Sequence, residues 1–370
     1  MLDASVSVKI TGATLKFHHK MIEEIFEEPK VTEAFLTKSF KQVEEVASEI
    51  GSKQYEMVYI TGSGTSYHAG LAAQYAISAL TRRITSLIPA SEFASWIPSK
   101  PTRKSLLIAV SQSGESSDVL AAAKGAQSKG IDVLAVTNTE GSSLMKMAQY
   151  AVLTKAGKEL AVTATKSHIA QLMALFSLSA QLAEKEETGR SNGARLKRQL
   201  FNAPKIIRET IDSVNEQVKQ LADRYSHQNF FFLLGSGPNY STALEGALKL
   251  KEACNIFAEG FASREFLHGP IQLVDQKTSL FFLLTEDQVE NALQEIKSVR
   301  RFGASVFSVF DRKHEQLKEV SSELIRVPHG FPKVFSSLIY IIPLQLFAYY
   351  SSVARGLNPD KPEKLTKVVK

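Results

Sequence analysis

The sequence predicts an α/β protein made of two tandem copies of one domain. Each copy is expected to be a three-layer α/β/α sandwich around a mostly parallel five-stranded sheet. Two observations carry this. Short, nearly continuous apolar runs alternate with helical stretches, as strands covered on both faces require. The pattern also restarts: Gly62-Ser63-Gly64 and Gly235-Ser236-Gly237 are offset by 235 − 62 = 173, and Gly130 and Gly303 by 303 − 130 = 173.

Taken in order, Met1 to about Thr11 reads as a short tail. His19 to Glu28 is an amphipathic helix stopped by Pro29, and a second helix is expected over about 31–50. The first set of strands falls at Met57–Thr61, Ile84–Ile88, Leu106–Val110, Val133–Thr137 and Ala151–Thr154, with helices between them. One of these helices runs from about His68 to Leu80, straight after the turn Gly62 to Tyr67. Glu184 to Arg198 is charged and holds Gly189 and Asn192-Gly193, the composition of an inter-domain linker. Phe230–Leu234 then opens the second copy. The implied layout is an N-terminal helical segment (1–50), a first domain (51–195), a second domain (205–355) and a C-terminal tail (356–370).

Hydrophobic residues at 44% and charged residues at 22% describe a globular chain rather than a disordered one. The net charge of +6 is spread over helical segments without a basic block, which gives no reason to expect nucleic acid. A lone cysteine, Cys254, excludes an internal disulfide and a multi-cysteine metal site, and fits a reducing cytoplasm. Met1 to Lys20 has no secretory apolar region. Val334 to Ala354 is uncharged and long enough to cross a bilayer, but Pro343, Gln345 and its place in the repeat make it a buried packing helix, and no membrane is expected.

The most informative stretch is Ser111-Gln112-Ser113-Gly114-Glu115-Ser116-Ser117-Asp118, between an apolar strand and an alanine-rich helix. A helix N-terminus offers unpaired N–H groups and partial positive charge, and the serines add donors. Several hydroxyls and no lysine suit a sugar monophosphate better than a nucleoside triphosphate. The second copy reads Thr285-Glu286-Asp287-Gln288-Val289-Glu290 here, and three acids would repel a phosphate. Only the first copy should therefore hold the anion, at the carboxyl ends of its strands. The second copy is instead rich in ionisable groups. Glu245, Lys249 and Glu252 share one helix face, which spacing alone makes a surface ion-pair ladder. His268-Gly269-Pro270 falls in a loop, where a histidine is either functional or merely solvated. Gly157 to Lys166 is either a lid over the sugar or an N-cap at Thr165.

The motifs GTSYHAG, SQSGESSD, NTEGSSL, ATKSH, ALEGALKLKEA and HGP, followed by a lysine near the C-terminus, occur here in that order. Together they resemble the isomerase half of the glucosamine-fructose-6-phosphate aminotransferase family, which is built from two sugar isomerase (SIS) domains. The likeness extends from Glu24-Ile25-Phe26-Glu27-Glu28-Pro29 to the last residues. It implies that Ser66, Ser111, Gln112, Ser113 and Ser116 hold the phosphate, and that Thr65, Val162 and Ala164 meet the sugar. It further implies that Glu252 moves a proton between C1 and C2 beside Lys249, and that His268, donated across a homodimer interface, opens the ring. Lys367 matches a lysine that forms a Schiff base with the ketose. The chemistry is consistent with these roles: a carboxylate for the enediol or enolamine step, an imidazole for ring opening, an amine for the C2 carbonyl and a tail to deliver it. Two positions depart from the family: Ala164 replaces a serine and Ser116 a threonine.

In that family a glutaminase domain with an N-terminal cysteine nucleophile comes first, whereas residue 2 here is Leu. Glutamine is therefore not expected as the nitrogen source. The expected activity is glucosamine-6-phosphate deaminase, giving fructose-6-phosphate and ammonia, with no metal or cofactor. The alternatives are a fructosamine-6-phosphate deglycase, a ketose/aldose phosphosugar isomerase, and, behind these, a non-catalytic sugar-phosphate sensor.

Overall fold

A computed structural model describes residues 6–10, 13–101 and 103–367. The first residues of the expected tail and the final Val368-Val369-Lys370 lie outside the described residues. β1 (Val6–Ile10) and β2 (Ala13–Phe17) pair as an antiparallel hairpin, so part of the stretch read as a tail is a strand. Then come α1 (Lys20–Phe26), α2 (Glu28–Lys38) and α3 (Phe40–Ser52). Pro29 does end the first helix region, but it does so by starting α2 in its first turn, where a missing N–H costs nothing. The helix expected over 31–50 is broken at Ser39 into α2 and α3.

The first domain continues as β3 (Met57–Thr61), α4 (Thr65–Leu80), β4 (Ile84–Leu87), α5 (Ala90–Trp96), β5 (Ser105–Ser111) and α6 (Ser117–Ser128). It ends with β6 (Asp132–Thr137), α7 (Ser143–Met147), β7 (Tyr150–Leu153) and α8 (Lys166–Lys185). After α9 (Arg190–Leu200) and α10 (Ala203–Tyr225), the second domain runs β8 (Phe230–Gly235), α11 (Pro238–Cys254), β9 (Phe257–Ala262) and β10 (Thr278–Leu283). It closes with α12 (Val289–Arg301), β11 (Ser305–Phe310), α13 (Glu315–Val320), β12 (Glu323–Arg326) and α14 (Ser337–Ala354).

The sheet orders are β4-β3-β5-β6-β7 and β9-β8-β10-β11-β12, all parallel within each sheet. The repeat is strict. Every strand of the second sheet begins 173 residues after its counterpart: 230 − 57, 257 − 84, 278 − 105, 305 − 132 and 323 − 150.

Alternation along the strands divides the interior into layers. Leu106, Ile108 and Val110 of β5 face one core, and Leu107 and Ala109 face another under α5 and α6. Phe281 and Leu283 of β10 join the first of these cores, while Leu280 and Phe282 face a third. The two sheets thus share one apolar interior, filled by α8, α10, α11 and α14. α14 is the uncharged run noted in the sequence. It is long and apolar enough to cross a membrane, but 83% of it is buried against the rest of the fold.

The expected linker is helical. α9 packs on α8, and Gly193 is what allows it: a Cβ there would stand 2.4 Å from the Glu184 amide nitrogen. Gly193, noted in the sequence as part of a linker composition, here permits a close helix crossing.

Candidate active site

Ser111 ends β5, and the chain turns through Gly114, whose φ is +68°. A Cβ at Gly114 would lie 2.2 Å from Ser142 Oγ, so the turn has room for glycine alone. Ser111 Oγ accepts from the Gly114 N–H at 3.1 Å, and Ser113 Oγ from the Glu115 N–H at 3.1 Å. Glu115, which could oppose an anion, instead accepts from the Ser143 N–H at 2.8 Å. Ser116 is the N-cap of α6, but its hydroxyl makes no capping bond. The start of α4, with Thr65 and Ser66, opens onto the same space.

The result is a cavity of about 280 Å³ where strand ends and helix N-termini meet. Every phosphate residue inferred from the sequence lines it: Ser66, Ser111, Gln112, Ser113 and Ser116. So do the sugar residues Thr65, Val162 and Ala164, and so do Glu252 and Lys367. The two groups expected to be catalytic come from elsewhere in the chain. Glu252 is on α11 of the second domain, and Lys367 is on the tail beyond α14.

Lys249 stands behind Glu252 and does not line the cavity. The surface ladder suggested by spacing is in fact buried: Lys249 is 0% exposed and Glu245 1%. Lys249 Nζ lies 2.7 Å from Glu252 Oε2, 3.1 Å from Glu245 Oε1 and 3.2 Å from Thr65 Oγ1. Glu245 also accepts from Thr65 Oγ1 at 2.9 Å and pairs with His68 Nδ1 at 2.7 Å. Burial alone would lower the Lys249 ammonium, but the two carboxylates outweigh it and raise the pKa. Burial would likewise raise Glu245, yet Lys249 and the His68 hydrogen bond hold it well below the usual carboxylate range. Nearby His168 is driven the other way by burial, down to about 4, and so is neutral.

His268 is exposed in the turn after β9 and is absent from the cavity lining, so a single chain does not bring it to Glu252.

Glu159 is the residue that sequence reasoning missed. Its side chain is fully buried at the wall of the cavity. Its Oε1 accepts from the Thr165 and Ser167 N–H groups at 2.9 and 3.1 Å, and its Oε2 accepts from Ser167 Oγ at 2.7 Å and Lys367 Nζ at 2.6 Å. Burial works to raise this carboxyl, but Lys367 and these hydrogen bonds leave it below its ordinary value. Thr165 does occupy the N-cap of α8, one of the two readings of this stretch, but its side chain makes no capping bond and Glu159 accepts from the first N–H groups instead. An acid seven residues before a helix start, in a stretch already marked as lid or cap, was the available signal. Gln171 was also unmarked, and its Nε2 donates to Ser66 Oγ at 2.9 Å.

The corresponding end of the second sheet opens into a larger cavity, about 600 Å³, of different chemistry. Glu286 is held by both terminal nitrogens of Arg312 at 2.6 Å, and Asp287 pairs with Lys333 at 2.5 Å. Among the described residues, no group of three or more His, Cys, Asp or Glu is arranged to hold a metal ion.

Comparison with known proteins places these features in context. The SIS domain model matches residues 53–179 and 225–355. Glutamine–fructose-6-phosphate aminotransferase [isomerizing] from Clostridium tetani is 35% identical over 361 residues, covering 95% of this chain and 59% of its own length. The Pyrococcus horikoshii protein of that name is 35% identical over 357 residues, covering 95% and 58%. The chain thus spans under three fifths of the curated relatives it matches. Among solved structures, the C-terminal domain of glucosamine-fructose-6-phosphate aminotransferase from Francisella tularensis superposes with a TM-score of 0.85 at 27% identity, covering 94% of this chain and 99% of that one. Glucosamine-6-phosphate deaminase from Thermotoga maritima shares the fold, with a TM-score of 0.76 at 23% identity and coverage of 95% and 99%.

Proposed function

The chain belongs to the SIS domain family, and from that premise we propose that it is a sugar-phosphate enzyme of the aldose–ketose type, acting as a glucosamine-6-phosphate deaminase. One observation carries this reading. Glu252, whose Oε2 lies 2.7 Å from the buried Lys249 ammonium, lines the same cavity as a hydroxyl-rich, lysine-free anion loop. A hexose 6-phosphate anchored at Ser66, Ser111, Gln112, Ser113 and Ser116 would extend its other end toward α11 and the tail.

In this mechanism the ring opens and Glu252 takes the C2 proton and returns it to C1. The C1 aldehyde becomes an alcohol and the C2 amine becomes a ketimine. Water adds to C2 and ammonia leaves, giving fructose-6-phosphate. Lys367 can exchange with the nitrogen at C2 as a transient imine before hydrolysis. Lys249, whose ammonium is held charged by Glu245 and Glu252, stays hydrogen-bonded to the Glu252 carboxyl and fixes its orientation. Ring opening is assigned to His268 of a second copy in a homodimer, which agrees with its exposure.

A second reading, release of a larger amine from a 6-phosphorylated fructosamine, is favoured by a further cavity of about 650 Å³ that adjoins the first across Glu159 and Lys367. The deciding experiment incubates the purified protein with glucosamine-6-phosphate and measures ammonia and fructose-6-phosphate, with Glu252→Gln alongside. Equimolar products, lost in the variant, support the deaminase. Turnover of fructosamine 6-phosphates alone moves the assignment to the second reading, and tight binding without turnover of either overturns both.

A further inference from the structure

The mechanism above makes no use of Glu159, a buried carboxylate inside the cavity wall. Its Oε1 is spent on the first N–H groups of α8, which fix the carboxylate in place. Oε2 accepts from Ser167 Oγ at 2.7 Å and from Lys367 Nζ at 2.6 Å, so the oxygen that receives the lysine is itself tied to the first turn of α8. The same ammonium donates to the Ala161 carbonyl at 2.6 Å, one residue from Val162 of the sugar wall. The tail reaches this point along a defined route. Asp360 accepts from the Lys20 and Met21 N–H groups, both at 2.8 Å, and its own carbonyl accepts from the Val162 N–H at 3.0 Å. Leu365, Thr366 and Lys367 then complete the cavity lining.

We propose that Glu159 is the positioning residue for the tail lysine: it draws Lys367 onto the loop that forms the sugar wall and so completes the substrate cavity. A charge-assisted bond from a rigid, desolvated acceptor is the strongest kind available to a surface tail. The cap on α8 keeps the acceptor from following the lysine outward. The tail belongs to the second domain and the loop to the first, so this pair also ties the two domains together over the site. The inference rests on the reading that Lys367 meets the ketose carbonyl, but its first test does not depend on that.

Amide hydrogen exchange across residues 357–367 is compared in wild type, Glu159→Gln, Lys367→Met and the double variant. Each single change should speed exchange about 10-fold, as expected for a charge-assisted bond, and the double should add little to either. Tail exchange unchanged in Lys367→Met would overturn the proposal, even if Glu159→Gln failed to fold. Additive effects, or loosening confined to the start of α8 in Glu159→Gln, would overturn it too. The second test traps the fructose-6-phosphate imine on Lys367 with borohydride, whose hydride reduces the C2 carbon to leave a stable secondary amine. Glu159→Gln should trap about 10-fold more slowly at subsaturating sugar. Equal trapping rates would refute positioning. No adduct in wild type would remove the imine role of Lys367, leaving the exchange cycle to decide the docking.

Discussion

Replacing Lys249 by methionine removes a fully buried ammonium and leaves Glu245, 1% exposed, facing Glu252 without it. Breaking a buried ion pair from one side costs about 3–5 kcal/mol, because the remaining charge keeps its desolvation cost and loses its partner. At roughly 1.3 °C per kcal/mol for a 370-residue chain, the melting midpoint should fall by about 4–7 °C. His68, still 2.7 Å from Glu245, argues for the lower half of that range. The pH dependence tests the cause. In the wild type Glu245 is depressed below its ordinary value of 4.5, so its contribution is present above that pH and lost as pH falls through the folded value. Without Lys249, burial dominates and the folded value rises above 4.5. Stability is then fully present below 4.5 and lost as pH rises. Scanning calorimetry at pH 5 and pH 8 should therefore show a deficit that grows with pH, and Glu245→Gln added to Lys249→Met should recover part of it. A single variant that melts within about 1 °C of wild type at pH 8 would refute the buried-triad argument.

Ser116→Ala removes a hydroxyl that makes no capping bond, so melting should barely change while KM rises about 10- to 100-fold, the range for a lost hydrogen bond to a charged group; steady-state kinetics with glucosamine-6-phosphate checks it. Glu24 is raised to about 7, first by burial and then by Glu159, so its contribution is present below 4.5 and lost as pH rises through 7. Glu24→Gln should therefore gain on the wild type by about 2–3 kcal/mol between pH 4.5 and pH 8, read from urea unfolding at each pH. If Glu252 and His268 of different copies build each site, Glu252→Gln and His268→Asn should each be inactive. Unfolded and refolded together, they should recover about a quarter of wild-type activity, because half of the dimers are mixed and each has one intact site; no recovery would place both residues in one chain.

Particular residues show how far the sequence can be read. The strands of the first copy follow from apolar runs and a constant offset carries the pattern into the second, while the strand order within each sheet came from the structure. The loop Ser111–Asp118 was legible because a helix N-terminus and its hydroxyls are contiguous. Gly193 marked the stretch between the two domains but not its helical form, because a glycine in a loop and a glycine at a close approach look alike until the neighbouring helix is present. Glu245, Lys249 and Glu252 gave their shared face but not their burial, because what covers a face is another part of the chain, here α4. Thr165 holds the cap position, but a carboxylate from an earlier turn makes the capping bonds.

The sequence by itself determined the α/β class, the duplication and the place of the hydroxyl-rich turn, since each depends on local periodicity or on residues adjacent in the chain, whereas the acid–base residues to test came from the ordered motifs of the family resemblance. Tertiary structure alone decided that Glu252 and Lys367 enter the cavity of the other domain, that Lys249 is a buried counter-charge, and that Glu159 receives the tail. Those facts depend on distances between segments as much as 208 residues apart. Packing sets such distances and the low polarity around them, and no local pattern records either.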